Sequence, residues 1–214
     1  RQLGFKVAGL CIPSMTPESF DAALERIPQA ARELADAGAN AIVLMGTSLS
    51  FYKGEAFNVQ LRERVTDTTG LPATTMSNGV IEGLKTVGAR RVAVATAYGD
   101  DVNGRLRAFL VEHGLEPLVI TGLGLEAMTD VERVTQDQLL AFCDRVGKSA
   151  EGADSLLVSC GGLRTLELIA PLEKSTGVPV ISSTPHGLWA GARLLGLSGE
   201  APGYGTLLSR PAAT

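Results

Sequence analysis

The sequence predicts an α/β fold of two pseudo-symmetric lobes, each with a mostly parallel sheet flanked by helices and with the active site in the cleft between them. Three observations carry this expectation. Strand and helix signals alternate along the chain, the pattern of parallel sheets joined by right-handed crossovers. Strand-sized stretches such as Ala41–Met45 and Ser155–Val158 are continuously apolar, which suits strands covered on both faces. Two segments also echo one another. Ala41-Ile-Val-Leu-Met-Gly-Thr-Ser48 and Ser155-Leu-Leu-Val-Ser-Cys-Gly-Gly162 each end an apolar run in small polar residues, and after a helix each meets a second match, Gly70-Leu-Pro72 against Gly177-Val-Pro179. Two such halves facing each other place Gly46 and Cys160 on opposite sides of one cleft.

The elements follow in order. Thr16-Pro17-Glu18 supplies an N-cap hydroxyl and a proline at the first helical position. Phe20, Ala23, Leu24, Ile27, Ala31 and Leu34 then recur on one helix face, and Gly38 marks the stop. Strands are expected at Ala41–Met45, Pro72–Met76, Arg91–Tyr98, Glu116–Ile120, Ser155–Ser159 and Pro179–Ser183. Helices are expected near Phe57–Thr69, Ser77–Val87, Asp101–His113, Thr135–Val146 and Thr165–Ser175, the fourth opened by a Thr135/Gln138 capping box. A last helix spans about Pro185–Leu195.

Composition narrows the function. A net charge of −4 without a basic run argues against nucleic acid and anionic membrane surfaces. No apolar stretch approaches a membrane span, and the visible N-terminus lacks the apolar core of a signal peptide. Three cysteines at no metal-like spacing suggest reduced thiols and a cytoplasmic location, and two histidines disfavour a histidine-based zinc site.

In open parallel sheets, ligands gather beyond the carboxyl ends of the strands. Those ends read Gly46-Thr47-Ser48, Thr75-Met76-Ser77, Ala97-Tyr98, Cys160-Gly161-Gly162 and Ser182-Ser183-Thr184, small hydroxyls and glycines suited to a compact anion. A free cysteine is commonly a small buried hydrophobe, a reading that fits Cys11 and Cys143. Cys160 differs, because it ends a strand and two glycines follow, letting backbone N–H groups approach whatever the sulfur touches. Taken alone, Thr47 and Ser48 read as helix-capping hydroxyls and Tyr98 as a structural tyrosine. His113 suits a helix C-terminus, and His186 is placed to line the cleft. Gly122-Leu123-Gly124 falls too late in its unit for a dinucleotide fingerprint.

Four ordered segments together resemble the arylmalonate decarboxylase family of the aspartate/glutamate racemase-like superfamily. They are Leu44-Met-Gly-Thr-Ser-Leu-Ser-Phe-Tyr52, Leu71-Pro-Ala-Thr-Thr-Met-Ser77, Val94-Ala-Thr-Ala-Tyr98 with Asp100-Asp-Val-Asn103, and Leu157-Val-Ser-Cys-Gly-Gly-Leu163. The resemblance implies a first lobe of residues 1–88 with 185–214 and a second of 89–184 carrying Cys160. Relatives start with an additional strand and a proline-bearing loop, and this chain starts after that point. Racemising relatives use one cysteine from each lobe, whereas here the first-lobe position matches Gly46. One thiol protonates one face only, which fits decarboxylation of an aryl- or alkenylmalonate through an enediolate, without metal or organic cofactor. By the same pattern Thr47, Ser48 and Tyr98, with the N–H groups of Ser48 and Gly161, bind the retained carboxylate. Ile12, Met15, Leu49, Leu125 and Met128 match the apolar pocket of the departing one.

Two rivals stand beside this reading: a racemase or maleate-type isomerase with a second base opposite Cys160, and a binding protein for small carboxylates that has lost catalysis. The partner expected in every case is a small carboxylate; oligomeric state stays open.

Overall fold

The structure, a computed structural model, describes residues 3–210. After an N-terminal coil, two helices, α1 (Pro17–Leu24) and α2 (Ile27–Asp36), lead into strand β1 (Ile42–Leu44). A short helix α3 (Thr47–Phe51) and a long one, α4 (Glu55–Thr69), return the chain to β2 (Ala73–Thr75), which runs straight into α5 (Met76–Thr86). Then come β3 (Arg91–Thr96), α6 (Asp100–Glu112), β4 (Glu116–Gly122), α7 (Met128–Glu132) and α8 (Gln136–Ser149). The chain ends with β5 (Ser155–Ser159), a 3₁₀ turn (Leu166–Leu168), α9 (Ile169–Thr176), β6 (Val180–Ser182) and α10 (Ser183–Leu194).

Two parallel sheets result. β1 pairs with β2, Ile42 opposite Ala73 and Leu44 opposite Thr75. The second sheet has the order β4-β3-β5-β6, and each of its neighbouring pairs is parallel. The apolar runs of the second sheet behave as expected, since every residue of β5, and all of β3 after Arg91, is buried. In Ala41–Met45 only Ile42 and Leu44 are buried and Met45 is exposed, so that run is covered on one face only. The internal echo has a structural counterpart. β1–β2 and β5–β6 are equivalent parallel pairs, and each second strand turns at once into a helix, α5 or α10. These two helices pack closely on each other. A Cβ added at Gly79 would sit 2.5 Å from the His186 carbonyl oxygen, so only glycine permits the approach.

Several details depart from expectation. The helix predicted from Thr16 to Gly38 is broken between Leu24 and Ile27, because Pro28 has no N–H to continue the ladder. Its apolar face survives the break: Phe20, Ala23, Leu24, Ile27 and Ala31 are all buried. The final helix starts at Ser183 rather than Pro185, placing the proline in the first turn, where its missing N–H costs nothing. Helices α3 and α7, five residues each, were not expected, being too short to show a period. Cys143 is fully buried, but Cys11 is exposed in the coil with φ at 51°, so the buried-hydrophobe reading fails there. No helix among the described residues is long and apolar enough to cross a membrane.

Candidate active site

A cavity of about 420 Å³ opens where the carboxyl end of β1 approaches the loop after β5. Part of its lining is Gly46, Thr47, Ser48 and Leu49 and another part is Cys160-Gly161-Gly162; Ile12, Met15 and Met128 contribute apolar surface, and Lys6 and Cys11 border it as well. Thus eight of the residues singled out in the sequence, together with Gly161, border one space. Leu125 and Tyr98 do not line it. Leu125 instead holds the end of β3 in place, its N–H bonding the Ala97 carbonyl at 2.9 Å.

The Thr47–Ser48 wall is held by hydrogen bonds from two elements. The Ser50 and Ser77 hydroxyls donate to the Thr47 carbonyl at 3.0 and 3.1 Å and lie 2.7 Å from each other. Gly46 caps α3 in extended backbone with no side-chain acceptor, which leaves the first-turn N–H groups without a capping partner from the cap residue. Thr47 and Ser48 therefore sit at a helix start but are not caps. Thr47 Oγ1 lies 2.8 Å from Met76 Sδ, and that thioether also limits Gly161, where an added Cβ would meet Met76 Cε at 3.2 Å.

Tyr98 is 1% exposed. Its hydroxyl is 3.4 Å from Ser159 Oγ, and the hydroxyls of Thr47 and Ser48 also reach it. Burial, and then the nearby Cys160, push its pKa well above the usual tyrosine range, so the phenol is a neutral donor. Its backbone is fixed by Thr96 Oγ1 and Asn103 Nδ2 at 3.2 and 3.3 Å. The Gly122-Leu123-Gly124 string belongs to this support. A Cβ at Gly122 would lie 2.0 Å from the Tyr98 carbonyl oxygen, so close packing, not a phosphate, explains that glycine.

Cys160 is 4% exposed yet borders the cavity. Burial pushes its thiol up to about 11, opposed by N–H groups of Gly162 and Leu163 directed at the sulfur. The thiol is therefore protonated at neutral pH. His186, expected to line the cleft, does not. It is fully buried, with Nδ1 2.8 Å from both the backbone N and O of Ser182, and burial holds its pKa down at about 4. His113 pairs its Nε2 with Glu55 at 3.1 Å, away from the cavity lining. Sequence reasoning missed Cys11, whose exposed thiol borders the cavity, and the supporting residues Met76 and Thr184, although the latter two stand in the strand-end strings where ligands gather.

The family model described as arylmalonate decarboxylase matches residues 1–208. The chain belongs to this family. The arylmalonate decarboxylase of Bordetella bronchiseptica is 48% identical over 206 residues, covering 96% of this chain and 86% of the relative. Among solved structures, a liganded arylmalonate decarboxylase with one glycine changed to cysteine and one cysteine to serine superposes with a TM-score of 0.91. It is 46% identical, covering 94% of this chain and 86% of that one. A maleate cis-trans isomerase of Nocardia farcinica, at 23% identity and TM-score 0.85 over 92% of this chain and 82% of that chain, shares the fold. Membership in the arylmalonate decarboxylase family makes the chain a carboxy-lyase, as its four sequence segments led us to expect.

Proposed function

We propose that this chain decarboxylates prochiral aryl- or alkenylmalonates without a cofactor and that Cys160 protonates the resulting carbon on one face, giving an enantioenriched 2-arylalkanoic acid. The observation that carries the reading is a protonated thiol bordering the same apolar cavity as the Thr47–Ser48 wall. One carboxylate leaves as CO2, and its bonding electron pair passes into the retained carboxylate as an enediolate. The Thr47 and Ser48 hydroxyls with the Ser48 and Gly161 N–H groups hold that developing charge, and the Tyr98 phenol, outside the cavity lining, backs those two hydroxyls. The departing carboxylate sits against Ile12, Met15, Leu49 and Met128, where desolvation disfavours the ion and release of neutral CO2 relieves the cost. Cys160 then gives its proton to the α-carbon and recovers it from solvent.

Gly46 decides the reaction class in this reading. It stands where a second thiol would face Cys160, so the first-lobe strand end supplies no base to take a proton from the other side. The relative's two substituted positions, glycine to cysteine and cysteine to serine, are as far apart in sequence as Gly46 and Cys160, which supports the pairing. On this reading the lobe division expected from the sequence, 1–88 with 185–214 and 89–184, puts the hydroxyl wall in the first lobe and the thiol in the second.

Incubation with a prochiral methylarylmalonate in the absence of cofactors tests the reading, with CO2 and product chirality measured together. Release of CO2 with one enantiomer in excess is expected. Deuterium exchange from solvent into an enantiopure 2-arylpropionate, without CO2 release from the malonate, would move the chain to the racemase or isomerase class. Thermal stabilisation by arylmalonates with neither reaction would make it a binding protein.

A further inference from the structure

The peptide joining Gly161 to Gly162 lies between two side chains. On one side Thr184 Oγ1 donates a 3.0 Å hydrogen bond to the Gly161 carbonyl oxygen. On the other, the Gly162 N–H is directed at the Cys160 sulfur. That carbonyl and that N–H belong to one planar trans unit and point in opposite directions, so fixing one aims the other. We propose that Thr184 is a positioning residue for Cys160: by holding the Gly161–Gly162 peptide plane, its hydroxyl keeps the Gly162 N–H on the sulfur and stabilises the thiolate left by proton delivery.

The loop needs such a restraint from outside. A peptide flanked by two glycines meets little steric resistance to rotation. Neither glycine carries a side chain that could stiffen it, and a Cβ at Gly162 would crowd Met128 Cε at 2.8 Å and one at Gly161 would crowd Met76 Cε at 3.2 Å. α10 supplies the clamp, and Thr184 occupies its first turn.

No charged group competes for the sulfur in the surroundings described. Tyr98, after β3, is neutral for the reason given above. α7 presents the apolar Met128 and Val131 to the loop, and α5 presents Met76. His186 on α10 is buried and neutral at pH 7. Arg164, on the loop itself, and Lys6, at the cavity margin, are exposed to water. The oriented N–H groups of Gly162 and Leu163 are thus what opposes the effect of burial on this thiol.

The test compares Thr184→Val, which keeps the shape and loses the donor, with Thr184→Ser, which restores it. Alkylation of Cys160 by iodoacetamide is followed between pH 7 and 10, where the rate tracks the thiolate fraction. Mass spectrometry of the peptide carrying Cys160 keeps the exposed Cys11 from contributing. Loss of one N–H to a charged sulfur is expected to slow alkylation about tenfold in Thr184→Val, with Thr184→Ser within about twofold of the parent. A merely structural brace predicts the opposite sign, because a loosened loop admits water, stabilises the thiolate and speeds alkylation. Faster or unchanged alkylation in Thr184→Val, or no recovery in Thr184→Ser, overturns the proposal. Should Thr184→Val fail to fold, Thr184→Ala carries the same comparison.

The catalytic meaning of this clamp rests on the proposed decarboxylation. There, Thr184→Val should lower the enantiomeric purity of the product, as solvent competes with a less acidic thiol, while KM stays unchanged. The two readings fail separately. A parent protein that releases no CO2 from arylmalonates removes the decarboxylase reading and leaves the alkylation comparison standing. Normal decarboxylation with unaltered alkylation removes Thr184 alone.

Discussion

The ends of β1 and β5 are equivalent places in two equivalent strand pairs, and they have been given different chemistry. After β1, Gly46 carries no side chain and the following helix presents Thr47 and Ser48. After β5, Cys160 carries the thiol, and the bare residues follow it as Gly161 and Gly162. In the proposed reaction, one end holds charge by hydrogen bonding and the other moves a proton. Had both ended in cysteine, a proton could be taken from one face and returned on the other. In the proposed mechanism, this asymmetry commits the site to a one-way reaction that makes its own carbanion.

Breaking the thiol end should have the largest effect. Cys160→Ser is expected to lower kcat about a thousandfold, the usual range for loss of a positioned acid, with the melting temperature nearly unchanged; full activity in this variant removes Cys160 from its role. On the opposite end, Thr47→Val or Ser48→Ala should each cost about a hundredfold in kcat/KM, since each removes a donor aimed at the developing charge. Steady-state rates on one arylmalonate separate the two ends: the hydroxyl variants keep the product's handedness, and Cys160→Ser does not. Making the ends alike sharpens the comparison further. Gly46 has extended backbone, and its added Cβ would meet Leu49 Cβ at 3.1 Å, so Gly46→Cys requires only a small shift. It should introduce solvent deuterium exchange at the α-carbon of the product and erode its enantiomeric purity. A folded variant with neither effect would mean that the two positions do not face the same carbon.

Much of this was legible in the chain itself because strand ends declare themselves. Continuous apolar runs located β1, β3 and β5, and the small residues after them located the cavity wall. What stayed hidden depends on packing between segments far apart in sequence. Pro28 splitting an otherwise regular apolar face needed its backbone ladder, not its period, to be noticed. Tyr98 was named, but nothing in the sequence reveals that its phenol stands outside the cavity lining while meeting the Thr47 and Ser48 hydroxyls. Met76 and Thr184 looked like ordinary strand-end residues; only their contacts with Thr47 and Gly161 give them a role. His186 illustrates the reverse, a polar residue beside a helix start that burial turns inward.

His186 also exposes the smallest difference between the two halves, and one with a pH signature. Its counterpart in the first half is Gly79, since each is the fourth residue of its helix, α10 or α5. In the first half Thr75 caps α5 through a 3.1 Å bond from the Asn78 N–H. In the second, Ser182 makes no such cap, and its backbone is met instead by the His186 ring. The other ring nitrogen, Nε2, has no partner among the described residues, so protonation would place a charge in a dry interior. With the folded value depressed to about 4, the unfolded chain takes up this proton first. The stability His186 contributes is therefore full above about pH 6.5 and lost as pH falls toward 4. Melting temperature should decline by on the order of 5 °C across that window, and His186→Gln should flatten the slope whatever it does to the plateau. An identical slope in that variant would assign the acid sensitivity elsewhere and leave the two helix starts equivalent in all but sequence.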